Sequence, residues 1–170
     1  MPPVSDTTAT AASTAATSAA STAASTAAST AADDPNARAQ ARVARIHDRL
    51  LAETARLDPP ALAFFCAGPV RRQLAAAAEV LHPVAAHFAE TRLLVQALGI
   101  GRRTLDRMVD TLAATGDPAS AAAAGRAVAM ALDAHLAVER TLLLPALTDL
   151  PGTDLPALVD AWESRLGARR

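Results

Sequence analysis

The stretch 128–147, VAMALDAHLAVERTLLLPAL, carries the decisive pattern in this chain. Its apolar residues return every three or four positions, the period of an amphipathic helix. On a wheel at about 100° per residue with Val128 at zero, Leu132 falls near 40°, Leu136 near 80°, Leu143 near 60°, Leu142 near 320° and Ala146 near 0°. His135, at about 340°, and Glu139, at about 20°, sit in the middle of that arc. Four residues apart, they lie one above the other on a single helix face and can grip a common partner. A carboxylate inside an apolar interior costs on the order of several kcal/mol unless it is paired or bound to a metal. Glu139 therefore demands a partner.

Outward from this segment the rest of the chain is helical too. Thr115-Gly116-Asp117-Pro118 is the clearest break, and the spacing predicts one long helix from Ala119 to Leu147 after it. Pro151-Gly152 separates a short amphipathic helix around Leu155 to Leu166. Toward the N-terminus, Val43, Ile46, Leu50 and Leu57 mark a helix stopped by Asp58-Pro59-Pro60. A turn or two over 61–68 ends at Gly68-Pro69, and Val70, Leu74, Ala77 and Leu81 form the face of a second long helix. Pro83 kinks it or starts a new one. A stripe through Val84, Phe88, Val95, Leu98, Leu105, Met108, Val109 and Leu112 continues to about Ala114. Four principal helices with short connections predict an all-α fold, an up-and-down four-helix bundle with a short C-terminal helix.

The N-terminal stretch is different. Of 46 alanines in 170 residues, 16 precede Val43, and the repeated STAA units of residues 13–32 contain no Leu, Ile, Val or aromatic residue. Such a segment has nothing to bury, so residues 1–35 are expected to be a disordered tail and residues 36–170 the bundle. With only 2% aromatic residues and no Tyr, a β-sandwich or barrel is disfavoured. All 16 basic residues are Arg, balanced by 17 acidic ones, so there is no basic field for nucleic acid. No apolar run is long enough to predict a membrane span, and the N-terminus does not read as a signal peptide. Cys66 is the sole cysteine, beside Phe64 and Phe65, and reads as a small buried hydrophobe compatible with a cytoplasmic location.

Two further histidines fall on inward faces. His47 lies at about 40° from Val43, and His87 at about 300° from Val84, between Leu94 and Leu98. His82 lies near 120° from Val70, at the edge of its arc and outside the set. Glu79 falls near 180°, away from the apolar face, so the single Glu-x-x-His pattern at Glu79 and His82 does not make a ferritin-like site. The inward set His47, His87, His135 and Glu139 suits a metal such as iron, manganese or zinc. A structural reading stands beside it: Arg102 also falls within its apolar arc, and an Arg102 to Glu139 ion pair with His135 as hydrogen-bond partner would satisfy the carboxylate.

These residues bring a family into view. Segment 135–147, HLAVERTLLLPAL, resembles the fourth-helix motif of hemerythrin-like (HHE cation-binding) domains, H-x-x-x-E followed by an apolar run ending in Pro-x-Leu. Segment 79–84, EVLHPV, is similar to the end of that family's second-helix motif, and His47-Asp48 to its first-helix histidine. The resemblance covers roughly residues 42–166. It implies a four-helix bundle around a non-haem di-iron centre held by five histidines and two carboxylates. By it His135, Glu139 and His47 carry over as ligands, whereas Leu74, Ala78 and Gly101 stand where other ligands should be. The implied site is degenerate, a reduced metal site or a bundle that has lost its metal.

The expectation is a non-enzymatic, cation-binding bundle with His135, Glu139, His47 and His87 as its metal residues and iron as the ion, acting in sensing or storage. No phosphate loop, nucleophile elbow or catalytic acid and base pair argues for an enzyme. The alternative is a metal-free interaction module, meeting a protein partner or another copy of itself through the C-terminal helix that carries Trp162.

Overall fold

The computed structural model describes residues 34–168, so the expected tail falls almost wholly outside the described residues. The chain divides into two units after Arg38, the second beginning at Ala39. All regular structure among the described residues is helical: α1 (Pro35–Thr54), α2 (Pro59–Phe65), α3 (Arg71–Ala86), α4 (Ala89–Ala114), α5 (Pro118–Val138), α6 (Leu144–Asp149) and α7 (Leu155–Gly167). Two single wide turns of π-helix join neighbours without a break, π1 (Cys66–Val70) between α2 and α3 and π2 (Glu139–Leu143) between α5 and α6.

Three of the helices begin with the same device. The side chains of Asp58, Asp117 and Asp154 accept hydrogen bonds from the N–H groups of Ala61, Ser120 and Ala157, at 2.9, 2.8 and 3.0 Å. Each cap has proline in the first turn of its helix, where the missing N–H costs nothing. Such a cap contributes about 1 kcal/mol and sets where the helix starts. Between α6 and α7 the chain turns through Gly152, whose φ of 74° is open to a residue without a Cβ.

The π turns correct the expected boundaries. Gly68-Pro69 does not end a helix; the N–H of Arg71 reaches back five residues to the carbonyl of Cys66, and the wide turn absorbs Pro69. The segment expected to run as plain α-helix to Leu147 is also widened, with the N–H of Leu144 bonded to the carbonyl of Glu139. One extra residue in that turn moves the inward set forward by one. Leu143, Leu144 and Leu147 are buried instead of Leu142, Leu143 and Ala146, and Leu142 is 53% exposed.

Several neighbours run antiparallel. Arg71 near the start of α3 pairs with Asp106 and Asp110 late in α4, while the Thr91 hydroxyl at the start of α4 donates to the carbonyl of Ala85 at the end of α3. Likewise Gln40 of α1 reaches Thr148 and Asp48 reaches Arg140, at 2.9 and 2.8 Å, which sets α1 against π2 and α6. Helix α7 packs on α3, closing over the core with Leu155, Val159 and Trp162. Trp162 is fully buried, so it is not part of an exposed surface as expected; the apolar face of α7 with Leu155, Val159 and Trp162 is used inside the molecule.

The apolar core falls into two clusters. One gathers Val43, Ala77, Leu81, Leu98, Leu143, Leu147, Val159 and Trp162. The other gathers Leu62, Cys66, Val70, Leu74, Leu105, Val109, Val128, Leu132 and Leu136. Each fully buried aliphatic side chain stabilises by about 1.5–3 kcal/mol. Along three helices the change from one cluster to the other passes through a residue of different character. On α1 it is His47, after Val43; on α4 it is Gly101, between Leu98 and Leu105; at the junction of α5 and π2 it is His135 and Glu139, between Leu132 and Leu143.

Candidate functional site

Glu139, the first residue of π2, is almost completely buried, and imidazoles surround its carboxylate. His47 Nε2 lies 3.4 Å from Oε2, while His135 Nε2 and His82 Nε2 lie 3.4 and 3.7 Å from Oε1. The three histidines come from α1, α5 and α3, so the carboxylate is where three helices meet. The fifth member is Gln73 of α3, also buried, whose Nε2 is 2.8 Å from His47 Nε2. For that contact to be a hydrogen bond the amide donates and the ring nitrogen accepts, which leaves the proton of a neutral His47 on Nδ1. Trp162 stands edge-on to the His47 ring with centroids 6.3 Å apart and closes the cluster on that side.

The surroundings of the carboxylate decide its ionisation. Burial by itself would raise the Glu139 carboxyl, but the imidazoles of His135 and His82, then the fields of His135 and His47, more than offset it and hold the group at about 2. Glu139 is thus ionised. His47 moves the other way from an ordinary imidazole: burial lowers it, against the attraction of Glu139 and with help from Arg140. It is held neutral, in keeping with accepting from Gln73.

Polar satisfaction is incomplete here. His47 Nδ1, Gln73 Oε1, His82 Nε2, Glu139 Oε1 and Trp162 Nε1 are buried without a hydrogen-bond partner among the described residues. Every one of these atoms belongs to this cluster. Buried polar atoms are nearly always paired with protein, water or an ion, so five orphans in one place mark a site that something else completes. No group of three or more His, Cys, Asp or Glu side chains among the described residues is arranged to hold a metal ion as it stands. What converges is a set of imidazoles on a carboxylate.

Three of the four expected site residues, His47, His135 and Glu139, come together. His87 does not. It follows the last residue of α3, exposed, with Nδ1 2.8 Å from the carbonyl oxygen of Pro83. The expected continuous stripe from Val84 crosses a real break, because the helix runs through Pro83 to Ala86 and the backbone becomes extended at Phe88. The phase of His87 relative to Leu94 and Leu98 is therefore lost.

His82 takes the place expected of His87, and Gln73 joins it. Both were missed because α3 packs against α4 on one side and α7 on the other, so its buried face is far wider than its large aliphatics mark out. Ala76 and Ala85, apolar and buried on either side of that stripe, offer in sequence only the weak signal of alanine that it is wider. The alternative ion pair is also overturned. Arg102 is 37% exposed and lies 4.0 Å from Asp106, one turn along its own helix, while Glu139 meets histidines. Glu79 pairs with Arg165 outside the cluster, and Cys66 is a buried thiol pushed up to about 11 by burial.

A groove of about 800 Å³ beside Arg42, Ile46 and Phe65 contains none of the cluster residues. A smaller cavity of about 360 Å³ between α4 and α5 does reach it, at His135. No helix among the described residues is long and apolar enough to cross a membrane. No family model, curated protein or solved structure matches the chain.

Proposed function

We propose that this chain is a hemerythrin-like, up-and-down helical bundle that binds one divalent transition-metal ion through His47, His82, His135 and Glu139, and serves in sensing or storage rather than catalysis. The observation that carries the reading is Glu139 Oε1, a buried, ionised oxygen without a hydrogen-bond partner, with imidazole nitrogens at 3.4 and 3.7 Å. Donors bonded tetrahedrally to an ion at about 2.0–2.1 Å stand about 3.4 Å apart, so small movements convert contacts of this length into ligation. Three imidazoles and a carboxylate suit ferrous iron, manganese or zinc, and the family resemblance favours iron. The ion would supply a positive charge to Glu139. His47 would release the Gln73 amide to take part, and His135 and His82 would bind through Nε2.

A di-iron centre does not fit. Leu74 is a buried core residue and Gly101 has no side chain, so the donors for a second ion are missing. A reducing cytoplasm suits both ferrous iron and the free Cys66 thiol. The second reading, a metal-free module acting through a protein partner or a second copy of the chain, is favoured by the short Gln73 to His47 contact, which already occupies a ligand nitrogen.

Anaerobic reconstitution with ferrous iron, followed by metal analysis, separates the two. Close to one equivalent in the wild-type chain and a loss in the double variant His135→Ala, Glu139→Gln is expected. Substoichiometric metal in both would end the metal reading.

A further inference from the structure

The cavity of about 360 Å³ between α4 and α5 is lined by Ala97, Gly101, Leu105, Ala131, Ala134 and His135 among others, almost all small or apolar. Its volume lies within the range of sites for small organic molecules, which are apolar with one or two placed polar groups. Here the placed group is His135. Its Nε2 faces Glu139 inside, and its Nδ1 lies against Gly101, where an added Cβ would stand only 3.1 Å away. The absence of a side chain at 101 is what lets the ring edge reach the cavity. No hydrogen bond within the described residues reaches His135 Nδ1. A histidine whose Nε2 is engaged by a carboxylate or an ion normally presents its other nitrogen to a partner that orients the ring.

We infer that this cavity is a binding site for a small neutral molecule with an apolar body and one hydrogen-bond acceptor, such as a cyclic ketone, held by an N–H at His135 Nδ1. The inference deepens the metal reading: an ion on Nε2 leaves the ring proton on Nδ1, where it can only donate. By linkage the molecule and the ion then tighten each other's binding. A charged ligand is disfavoured, because no charged residue lines the cavity to offset its desolvation.

The test titrates cyclohexanone, with cyclohexene as the matched body lacking an acceptor, into the full chain with and without zinc as a diamagnetic probe. Amide and imidazole nitrogen resonances are followed by NMR. Saturable shifts at Gly101, Ala134 and His135 Nδ1 are expected with the ketone, at least tenfold weaker binding with cyclohexene, and at least fivefold tighter ketone binding with zinc present. Ala97→Leu and Ala134→Leu, at exposed lining positions, should weaken the ketone at least tenfold while leaving the helical spectrum intact. Absence of saturable ketone shifts in the wild-type chain, or equal binding by the filled variants, would overturn the cavity site whatever the metal does. If metal analysis shows no zinc uptake, the metal reading falls separately, and the preference for the ketone over cyclohexene in the metal-free chain then decides by itself whether His135 Nδ1 supplies a donor N–H; equal binding of the two would overturn the proposal.

Discussion

The two π turns are the same backbone device with opposite chemical results. Each is one wide turn with a proline within it or just after it, and each begins with a buried ionisable residue, Cys66 in π1 and Glu139 in π2. Around Cys66 the neighbours are Leu62, Val70, Leu74 and other apolar residues, so burial outweighs the opposing field of Arg71 and the thiol is pushed up to about 11. Around Glu139 burial pushes the same way, but three imidazoles outweigh it and the carboxyl is held at about 2. Burial tells only what an acid would do alone. Its partners determine whether it carries charge, and a charged group with an orphaned oxygen is a candidate site where a neutral thiol is core.

The largest effect expected from this contrast is on stability. The double variant His82→Leu, His135→Leu removes both imidazoles near Oε1 and strands a buried carboxylate, so urea unfolding of the metal-free chain should show a loss of about 3 kcal/mol or more. Cys66→Ala removes only a small buried group and should cost about 1 kcal/mol. Equal losses would erase the distinction between the turns.

The pH dependence should separate them next. Glu139 has a folded value of about 2 against an ordinary 4.5, so its contribution is fully present above 4.5 and is lost as pH falls toward 2. His47, lowered by burial, adds to the acid loss below its ordinary 6.5, because the unfolded chain takes up the proton first. Cys66 acts at the other end: with a folded value of about 11 against 9.0, its contribution is complete below 9 and is lost as pH rises through 11. In denaturant midpoints measured across pH, Glu139→Gln should flatten the segment below 4.5 and Cys66→Ala the segment above 9.

A smaller effect concerns two glycines. Nothing lies within 4 Å of a Cβ at Gly68 in π1, so Gly68→Ala should stabilise by about 0.5–1 kcal/mol through helix propensity. At Gly101 the same gain is opposed by the His135 ring at 3.1 Å, and thermal unfolding of Gly101→Ala should show no stabilisation. The smallest effect is at Arg102. Partly exposed and 4.0 Å from Asp106, it should tolerate Arg102→Met within about 0.5 kcal/mol, and a loss near 3 kcal/mol would mean that Glu139 depends on it after all.

Much of the fold and part of the site were legible in advance. The break at 115–118 follows from its turn residues and the buried Cys66 from its aromatic neighbours, while the helical class and the inward His47, His135 and Glu139 follow from periodicity, because a helix keeps its phase as long as its turns are uniform. Where turns are not uniform the phase slips. The extra residue in π2 moved the buried leucines by one, and the break at Phe88 separated His87 from the stripe it was read against. His82 and Gln73 were hidden for another reason. Alanines such as Ala76 and Ala85 carry little hydrophobic signal of their own, so an alanine-rich helix enclosed on several sides shows a narrower face in sequence than it has in space.

By itself, then, the order of residues determined the helical class, where three helices start, and that a carboxylate at position 139 had to be buried among apolar neighbours. Capping and periodicity are local, and local chemistry is written in the chain. Only the tertiary structure decided which partners that carboxylate meets. Three imidazoles from three helices, and not Arg102, gather around it, because the packing of α1, α3 and α5 sets distances between residues far apart in the chain.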